Sequence, residues 1–180
     1  MSDTHPIRGV LPDLLKKNLK AILCGSAAGH HSAQNQTYYS GPGNRFWRVL
    51  YQIGLTPIQL QPTEYSKLSD YGLGLTDLAK NTFGSDRDIA KSADDPSALT
   101  DKILNYRPLA LAFIGKRPAA VWLQKQHGIR RIGYGMQAHT IDRTAIFVLP
   151  STSGAAKRYW DITHWRDFAK FINGRGEAPE

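Results

Sequence analysis

The sequence predicts an α/β fold in which helices cover both faces of a short parallel β-sheet. Several runs of strand length are almost continuously apolar, which is the pattern of strands buried on both faces. Segments with the apolar spacing of helices alternate with these runs, as expected when helices connect parallel strands. The loops that follow the runs are rich in Gly, Ser, Thr, Asn and His. Because ligands bind beyond the carboxyl ends of parallel strands, we expect a pocket among these loops.

The first half of the chain contains two predicted helices and two predicted strands. Residues 11–19 place several leucines on one face of a helix. Residues 20–25 form a short apolar run that ends at a glycine, which predicts a buried strand. Residues 44–53 again show helical spacing, with Asn44 suited to cap the helix and a glycine to end it. Residues 71–78 are predicted to form a second strand that leads into a polar loop.

The second half of the chain repeats the alternation. Residues 94–106 begin with Asp-Asp-Pro, which is typical of a helix start. Residues 109–115 form the clearest apolar strand, and residues 118–126 should form the helix that follows it. Residues 145–149 are another buried strand, and residues 159–172 are predicted to form the last helix. Three loops at the strand ends then form the predicted pocket: residues 25–43, 76–87 and 150–158.

Length and composition favour a single domain. A chain of 180 residues fits one domain, and we expect residues 1–173 to form it and residues 174–180 to be a flexible tail. The single Cys24 excludes an internal disulfide and a zinc site built from cysteines, and favours a reducing cytoplasm. No apolar run approaches the roughly 20 residues of a membrane helix. We therefore expect a cytoplasmic protein, associated with the nucleoid if bacterial, with no membrane partner.

The charge balance points to a polyanionic partner. The formal net charge is +8 and the pI is about 9.7. A surplus of this size suggests nucleic acid before a membrane surface. That a basic protein of this kind binds nothing acidic remains the alternative.

Several segments together carry a resemblance to a known family. They are "LCGSAAG", "GPGNRFWRVLYQIGLTP", "DYGLGLTDLAKNT", "LAFIGK" and "VLPSTSG". In order and spacing these segments resemble the mismatch-specific uracil/thymine-DNA glycosylases, which belong to the uracil-DNA glycosylase superfamily. Each segment alone is weak, but the ordered set covers most of residues 20–172 and is specific.

The resemblance implies a fold, an activity and a partner. The fold would be a three-layer α/β/α sandwich with a short parallel central sheet. The activity would be that of a monofunctional uracil-DNA glycosylase, which flips uracil out of single- or double-stranded DNA and hydrolyses its N-glycosidic bond, starting base excision repair. No metal or cofactor would be required, and His127, His139 and His164 show no zinc-ligand spacing. We expect a monomer.

The sequence departs from the family's motifs at three places. The first motif of the family reads Gly-x-Asn-Pro-Gly and its Asn positions water, but Ala27 stands at that place here. The second motif begins Asn-Pro-Ser-Gly, but here it begins at Ser151. The next residue, often a bulky wedge that fills the vacated base stack, is Ala155. These departures bear on how water is activated and how the DNA is held.

The chemistry of base removal determines which residues are catalytic candidates. Negative charge develops on the departing base, so hydrogen-bond donors can matter as much as a general base. His30 or His31 could compensate for Ala27 by positioning water or donating a proton, although loop histidines are equally consistent with contact to solvent or phosphate. Asn35 and Gln36 could supply an amide, or be ordinary loop residues, and Asp77 could bind the base or a water, or cap a turn. The candidate catalytic residues are His31, Asn35, Asp77 and Ser26.

Two further sets of residues are candidates for binding. The resemblance places Tyr39, counted back from "NRFW", where an aromatic ring stacks on the flipped base, with Tyr38 as the choice if the register shifts by one. Both could instead be core tyrosines, and Asn44 could serve only as a helix cap. The base-binding candidates are Gly25, Ala27, Tyr38, Tyr39 and Asn44. The hydroxyl–glycine–basic loop near the C-terminus suits DNA phosphates, or is an ordinary capped helix start; its candidates are Ser151, Ser153, Gly154, Ala155, Lys157 and Arg158.

Other functions stay open at this stage. The nearest alternative is a glycosylase for hypoxanthine or another deaminated base, since the altered motifs could accompany altered specificity. A catalytically degraded DNA-binding relative is a second alternative, because Ala27 and Ala155 are both small. A nucleotide-binding protein is disfavoured, because "GSAAGH" lacks the Lys-Ser/Thr of a phosphate-binding loop.

Overall fold

A five-stranded β-sheet forms the centre of the structure, a computed structural model that describes residues 9–174. Four strands are parallel in the order β2-β1-β3-β5, and β4 pairs antiparallel with β5 at one edge. The four parallel strands match the four predicted from apolar runs. The strands are β1 (Ala21–Gly25), β2 (Leu73–Asp77), β3 (Ala110–Ile114), β4 (Gly135–Ile141) and β5 (Thr144–Leu149).

Helices cover both faces of the sheet and give the expected three-layer α/β/α arrangement. The helices α2 and α5 pack on one face, around Phe46 and Trp165, and α3 and α4 pack on the other, around Ile103 and Trp122. The α-helices are α1 (His30–Asn35), α2 (Phe46–Gln52), α3 (Pro96–Tyr106), α4 (Lys116–His127) and α5 (Ile162–Gly174). Three segments are 3-10 helices: Pro62–Tyr71, Lys91–Ala93 and Gly154–Tyr159. No described helix is long and apolar enough to cross a membrane.

The predicted helix at residues 11–19 is wrong. Leu14 instead forms an antiparallel bridge with Leu75 of β2, with reciprocal N–H···O distances of 2.9 and 3.0 Å. Leu11 and Leu19 are buried, so the leucines are core residues of an irregular segment. Pairing with a sheet strand satisfies backbone groups that a helix would have satisfied internally, and tertiary context thereby overrides the helical spacing.

Two elements lie where no regular structure was predicted. Strand β4 alternates half-buried and exposed residues, and it forms a hairpin with β5 through Asp142, whose φ is 51°. The sheet is therefore mixed at its edge instead of wholly parallel. Helix α1 lies inside the predicted loop 25–43; it begins after Gly29 and ends at Gln36, which takes the left-handed conformation. Helix α5 extends through Gly174, and the rest of the predicted tail lies outside the described residues.

Candidate functional site

The carboxyl ends of the parallel strands bring the three predicted loops to one edge of the sheet. Gly25, the last residue of β1, pairs in register with Asp77, the last residue of β2. Ile114 of β3 pairs in register with Leu149 of β5. The chain continues from these ends into residues 26–43, 78–87, and 150–158. The candidate site therefore occupies the edge where parallel sheets bind ligands.

Backbone contacts join the first loop to the other two. The N–H of Ala79 donates to the carbonyl of Ser26 at 2.8 Å, and the N–H of Arg45 donates to the carbonyl of Thr152 at 2.9 Å. Gly154 lies against the first loop so closely that a Cβ atom there would be 2.8 Å from a backbone carbonyl oxygen. The three loops thus form one connected structure.

The side chains of Asp77 and Tyr39 meet beside Gly25. A Cβ atom added to Gly25 would lie 2.7 Å from Asp77 Oδ1 and 3.2 Å from Tyr39 Oη. Only glycine therefore leaves room for both polar atoms at the end of β1. Asp77 is 6% exposed, and it is a carboxylate held inside the fold at the mouth of the predicted pocket.

Burial makes Asp77 an unusual acid. Desolvation raises its pKa to about 6, with Asp13 adding to the increase and Lys80 and Lys102 opposing it. A carboxyl group with this pKa can exchange a proton near neutral pH, which an ordinary surface aspartate cannot do. Perturbed carboxylates in clefts are typical of functional sites.

A half-buried ion cluster, formed by Asp13, Lys80 and Lys102, lies beside Asp77. Asp13 contacts Lys80 at 2.8 Å and Lys102 at 2.7 Å, and it accepts a hydrogen bond from the Thr76 hydroxyl at 2.7 Å. Burial opposes ionisation of Asp13, but the two lysines and the hydroxyl outweigh it and lower its pKa. Asp13 thus pairs with both ammonium groups, which leaves only part of their charge to neutralise Asp77.

Tyr39 has three features of a ligand-binding residue. Its ring stacks on Phe46 with centroids 3.8 Å apart, so one face of the ring is covered by Phe46. The residue as a whole is half-buried. Its φ of 53° places the backbone in the left-handed region, which residues other than glycine rarely adopt. Burial, with Asp77 and Cys24 adding to it, raises the pKa of the Tyr39 hydroxyl, which keeps it protonated as a hydrogen-bond donor.

Two buried oxygens in the loops have no hydrogen-bond partner. Within residues 9–174, the buried side-chain atoms in this condition are Tyr39 Oη and Thr152 Oγ1. Native proteins rarely leave buried polar groups unsatisfied, so such atoms call for water or a ligand. Both residues belong to loops at the carboxyl edge of the sheet.

Tyr38 and Asn44 have structural roles in the fold. The Tyr38 side chain is 2% exposed; its hydroxyl donates to the Pro12 carbonyl at 3.0 Å and accepts from Lys80 Nζ at 3.2 Å. Its own carbonyl accepts from the Trp47 indole at 3.1 Å. Asn44 Oδ1 accepts from the N–H of residue 46 at 3.0 Å, but the N-cap residue of α2 is Arg45, so Asn44 holds the turn just before the helix and is not the predicted cap. Of the two tyrosines, Tyr39 is the one that faces the site.

The other candidate residues of the first loop form two groups, one beside Asp77 and one exposed on the surface. Ser26 is buried and Ala27 half-buried directly beyond Gly25, so both lie at the carboxyl edge of the sheet. His31 and Asn35 are exposed on α1, and Asn35 Nδ2 contacts the Ser40 hydroxyl at 3.4 Å. The structure therefore brings Ser26 and Ala27 next to Asp77 and keeps His31 and Asn35 on the surface.

The loop after β5 is held by its own hydroxyl groups. Ser151 Oγ accepts from the N–H of Ser153 at 3.3 Å, and Ser153 Oγ accepts from the N–H of Ala155 at 3.3 Å. Ala155 is exposed, as are Lys157 and Arg158 farther along the 3-10 helix. A small exposed residue followed by two cations thus borders the pocket.

Asp77, Lys80 and Lys102 also line a cavity of about 360 Å³ together with Leu78 and Asn81. This space gives solvent an approach to the aspartate from the α3 side. A cavity of about 700 Å³ lies at the opposite edge, near Lys20 and Gly72, and contains none of the candidate residues. In the described part of the chain, no group of three or more His, Cys, Asp or Glu side chains could hold a metal ion.

Lys80, Lys102 and Asp13 are site residues that the sequence did not reveal. Lys80 follows Asp77 by three residues, a spacing that could have drawn attention to it. Asp13 is 63 positions from Thr76, so no local signal could have connected them. Thr152 lies within the predicted motif but was not among the candidates.

Replacing Asp77 with Asn should stabilise the fold at neutral pH. The folded-state pKa of about 6 lies above the ordinary 3.8, so ionisation of this group disfavours folding. The gain should reach ~3 kcal/mol above pH 6, shrink as the pH falls through the interval between the two values, and vanish below about pH 4. Urea unfolding at pH 8 and pH 4 measures it. An equal effect at both pH values would contradict the raised pKa.

Comparisons with known proteins agree with this geometry. The family described as the Uracil DNA glycosylase superfamily matches residues 12–172. The fold is also similar to the solution NMR structure of a Methanosarcina acetivorans protein that is provisionally described as a uracil DNA glycosylase. That protein is 25% identical, the TM-score is 0.63, and the match covers 92% of this chain and 98% of the other. With a family match that extends from before β1 to near the end of α5, the chain belongs to the uracil-DNA glycosylase superfamily.

Proposed function

We propose that the protein is a monofunctional DNA glycosylase that removes uracil from DNA. Membership of the superfamily supports the glycosylase class and DNA as the partner. The motifs that resemble the mismatch-specific branch support uracil as the base. The observation that carries the mechanism is the buried Asp77 carboxylate, which meets Tyr39 beside Gly25 at the carboxyl edge of the sheet.

The reaction breaks the bond between C1′ of the deoxyribose and N1 of the base. The electron pair of that bond leaves on the base, and the sugar acquires oxocarbenium character. A water molecule then bonds to C1′ and loses a proton. Donors that stabilise the departing anion and a base that accepts the proton are the two requirements, and each donor typically contributes about 3–4 kcal/mol.

Asp77 takes the role of the water-activating group. Ala27, in the place where the family motif has an amide, cannot orient water through its side chain. The ionised Asp77 carboxylate is a stronger proton acceptor than an amide. Asp77 pairs in register with Gly25, and Gly25 begins the loop that contains Ala27. A water between Asp77 Oδ1 and Tyr39 Oη would also satisfy the unpartnered tyrosine hydroxyl.

The flipped base would lie against Tyr39, whose ring is held by its stack on Phe46. Stacking on an aromatic ring contributes about 1–3 kcal/mol per base. The basic loop with Lys157 and Arg158 would contact DNA phosphates beside the flipped nucleotide. His31 and Asn35, exposed on α1, are better placed for the DNA backbone than for the reacting atoms.

The substrate is tested with oligonucleotides that carry one uracil in a single strand, opposite A, or opposite G, and with matched strands carrying hypoxanthine. Alkali cleaves the abasic product, and chromatography identifies the free base. We expect free uracil and strand cleavage after alkali treatment only. Release of hypoxanthine alone would overturn the substrate, and no cleavage of any strand would leave a DNA-binding relative without activity. Cleavage before alkali would contradict the monofunctional assignment.

A further inference from the structure

A surface of aromatic and basic side chains lies beside the candidate site and, apart from the phosphate contact proposed for Arg158, has no role in the reaction proposed above. We name it the flank surface, and its members are Lys116, Tyr134, Arg158 and Tyr159. Tyr159 is 63% exposed, more than the other two exposed aromatic residues in the described part of the chain, Phe83 at 51% and Tyr51 at 48%. The flank surface therefore offers a large flat ring to solvent next to two cations.

The topology brings all four residues to the carboxyl edge of the sheet. Lys116 opens α4 immediately after β3. Tyr134 precedes Gly135, which pairs with Val148 near the end of β5 because β4 runs antiparallel to it. Tyr159 ends the 3-10 helix of the loop that follows β5. The flank surface is thus continuous with the loop predicted to contact DNA.

Contacts within the flank surface pair each ring with a cation. Lys116 Nζ lies 4.6 Å from the centroid of Tyr134, and Arg158 Cζ lies 5.8 Å from the centroid of Tyr159. Burial, and next the electrostatic influence of Tyr159, raises the pKa of the Tyr134 hydroxyl. Tyr134 also packs against the core, which anchors the surface to the sheet.

The charge next to the rings favours a polyanion. Lys157 adds a third exposed cation to the same 3-10 helix. The nearby Asp161 already has partners: it accepts from the N–H of Thr163 at 2.8 Å and lies 3.8 Å from His164, whose ring packs 5.5 Å from that of Tyr134. Arg117, adjacent in sequence to Lys116, is bound to Asp94 at 3.0 Å and takes no part.

Rings alternating with cations are the pattern that binds unpaired nucleotides, with stacking on the bases and ion pairs to the phosphates. A ring can stack on a base only where the base is not already stacked in a duplex. We propose that the flank surface binds an unpaired nucleotide adjacent to the flipped one, with Tyr159 as the stacking platform and Lys116 and Arg158 on its phosphates. This inference rests on the proposed function, because the flipped nucleotide defines what is adjacent.

The consequence is a preference for single-stranded substrate that depends on Tyr159. Fluorescence anisotropy would measure binding to a labelled single-stranded oligonucleotide with a central tetrahydrofuran abasic analogue, and to the same strand in a duplex. Tyr159→Leu should weaken single-strand binding about tenfold and duplex binding at most about twofold. Tyr159→Phe, which keeps the ring, should bind like the wild type.

A matched control is Tyr51→Leu. Tyr51 is also a half-exposed tyrosine, at 48%, but it lies at the far end of α2, near the cavity at the opposite edge of the sheet. It should leave binding to both probes unchanged. Lys116→Gln should lower the salt dependence of single-strand binding by about one phosphate contact.

Several results would overturn the proposal. One is single-strand binding by Tyr159→Leu as tight as that by Tyr51→Leu. Another is an equal loss on both probes, which would indicate a general DNA contact instead. The binding assay uses an abasic analogue, so it decides the role of the flank surface even if the wild-type protein releases no uracil. That last result would defeat the proposed function separately.

Discussion

Asp77→Asn is expected to lower the single-turnover rate of uracil release about 10³-fold, within the 10²–10⁴-fold range of general bases. The amide has nearly the same shape as the carboxylate but cannot accept a proton from water. Because Asp77 lies beside Gly25 and Tyr39 and not at the DNA-contacting loop, binding of the abasic analogue should stay within about twofold of wild type. Quenched-flow release of free uracil at pH 8 measures the rate.

The control for Asp77→Asn is Asp101→Asn, an exposed aspartate on α3. It makes the same chemical change without reaching the site, so its rate should match the wild type. Since Asp77→Asn should also be the more stable protein at pH 8, loss of folding cannot explain its loss of activity. A rate within tenfold of wild type would show that another group activates the water.

Gly25→Ala is expected to reduce the same rate about 10²-fold while the protein stays folded. The added methyl group would lie 2.7 Å from Asp77 Oδ1 and 3.2 Å from Tyr39 Oη, so both atoms must move. Displacing a catalytic group by about 1 Å typically costs about 10²-fold in rate. Overpacking at a buried position costs about 1–3 kcal/mol of stability. The loss should appear in the chemical step more than in DNA binding.

Gly41→Ala is the matched control for Gly25→Ala. Gly41 lies in the same loop, but a Cβ atom there would meet no atom within 4 Å. Its rate should equal the wild-type rate. Full activity of Gly25→Ala would show that the space beside Gly25 is not where the water is activated.

The layers and the pocket edge could be predicted from sequence because they depend on local patterns. Residues 109–115 are so apolar that only a strand buried on both faces suits them, and β3 lies there. Asp95 and Pro96 mark the start of α3, and the Asp95 carboxylate accepts from the N–H of Ala98 at 2.9 Å. Polar loops after such strands then meet at one edge by geometry alone.

The wrong helix at residues 11–19 and the missed strand β4 both depend on partners that are distant in the sequence or on the position in the sheet. The leucines of residues 11–19 have helical spacing, but Leu14 forms its bridge with Leu75, which is 61 positions away in the sequence. Strand β4 lies at the sheet edge, where one side of the strand needs no burial, so its sequence lacks the continuous apolar run that marked the other strands.

Residue type alone could not rank the site candidates. His31 and Asn35 have suitable chemistry, yet α1 holds both at the surface. For Asp77 the sequence favoured a turn cap over a catalytic role. Its distinction comes from burial and from the cluster of Asp13 with Lys80 and Lys102, which tertiary folding assembles.

The pH dependence of uracil release is the most direct test of Asp77 as the water-activating group. Only the ionised carboxylate accepts a proton, so the single-turnover rate should be flat at alkaline pH and fall tenfold per pH unit below about pH 6. The residual rate of Asp77→Asn should lack this acid limb. An acid limb near pH 6 that persists in Asp77→Asn, or a wild-type rate unchanged between pH 5 and pH 8, would contradict the assignment.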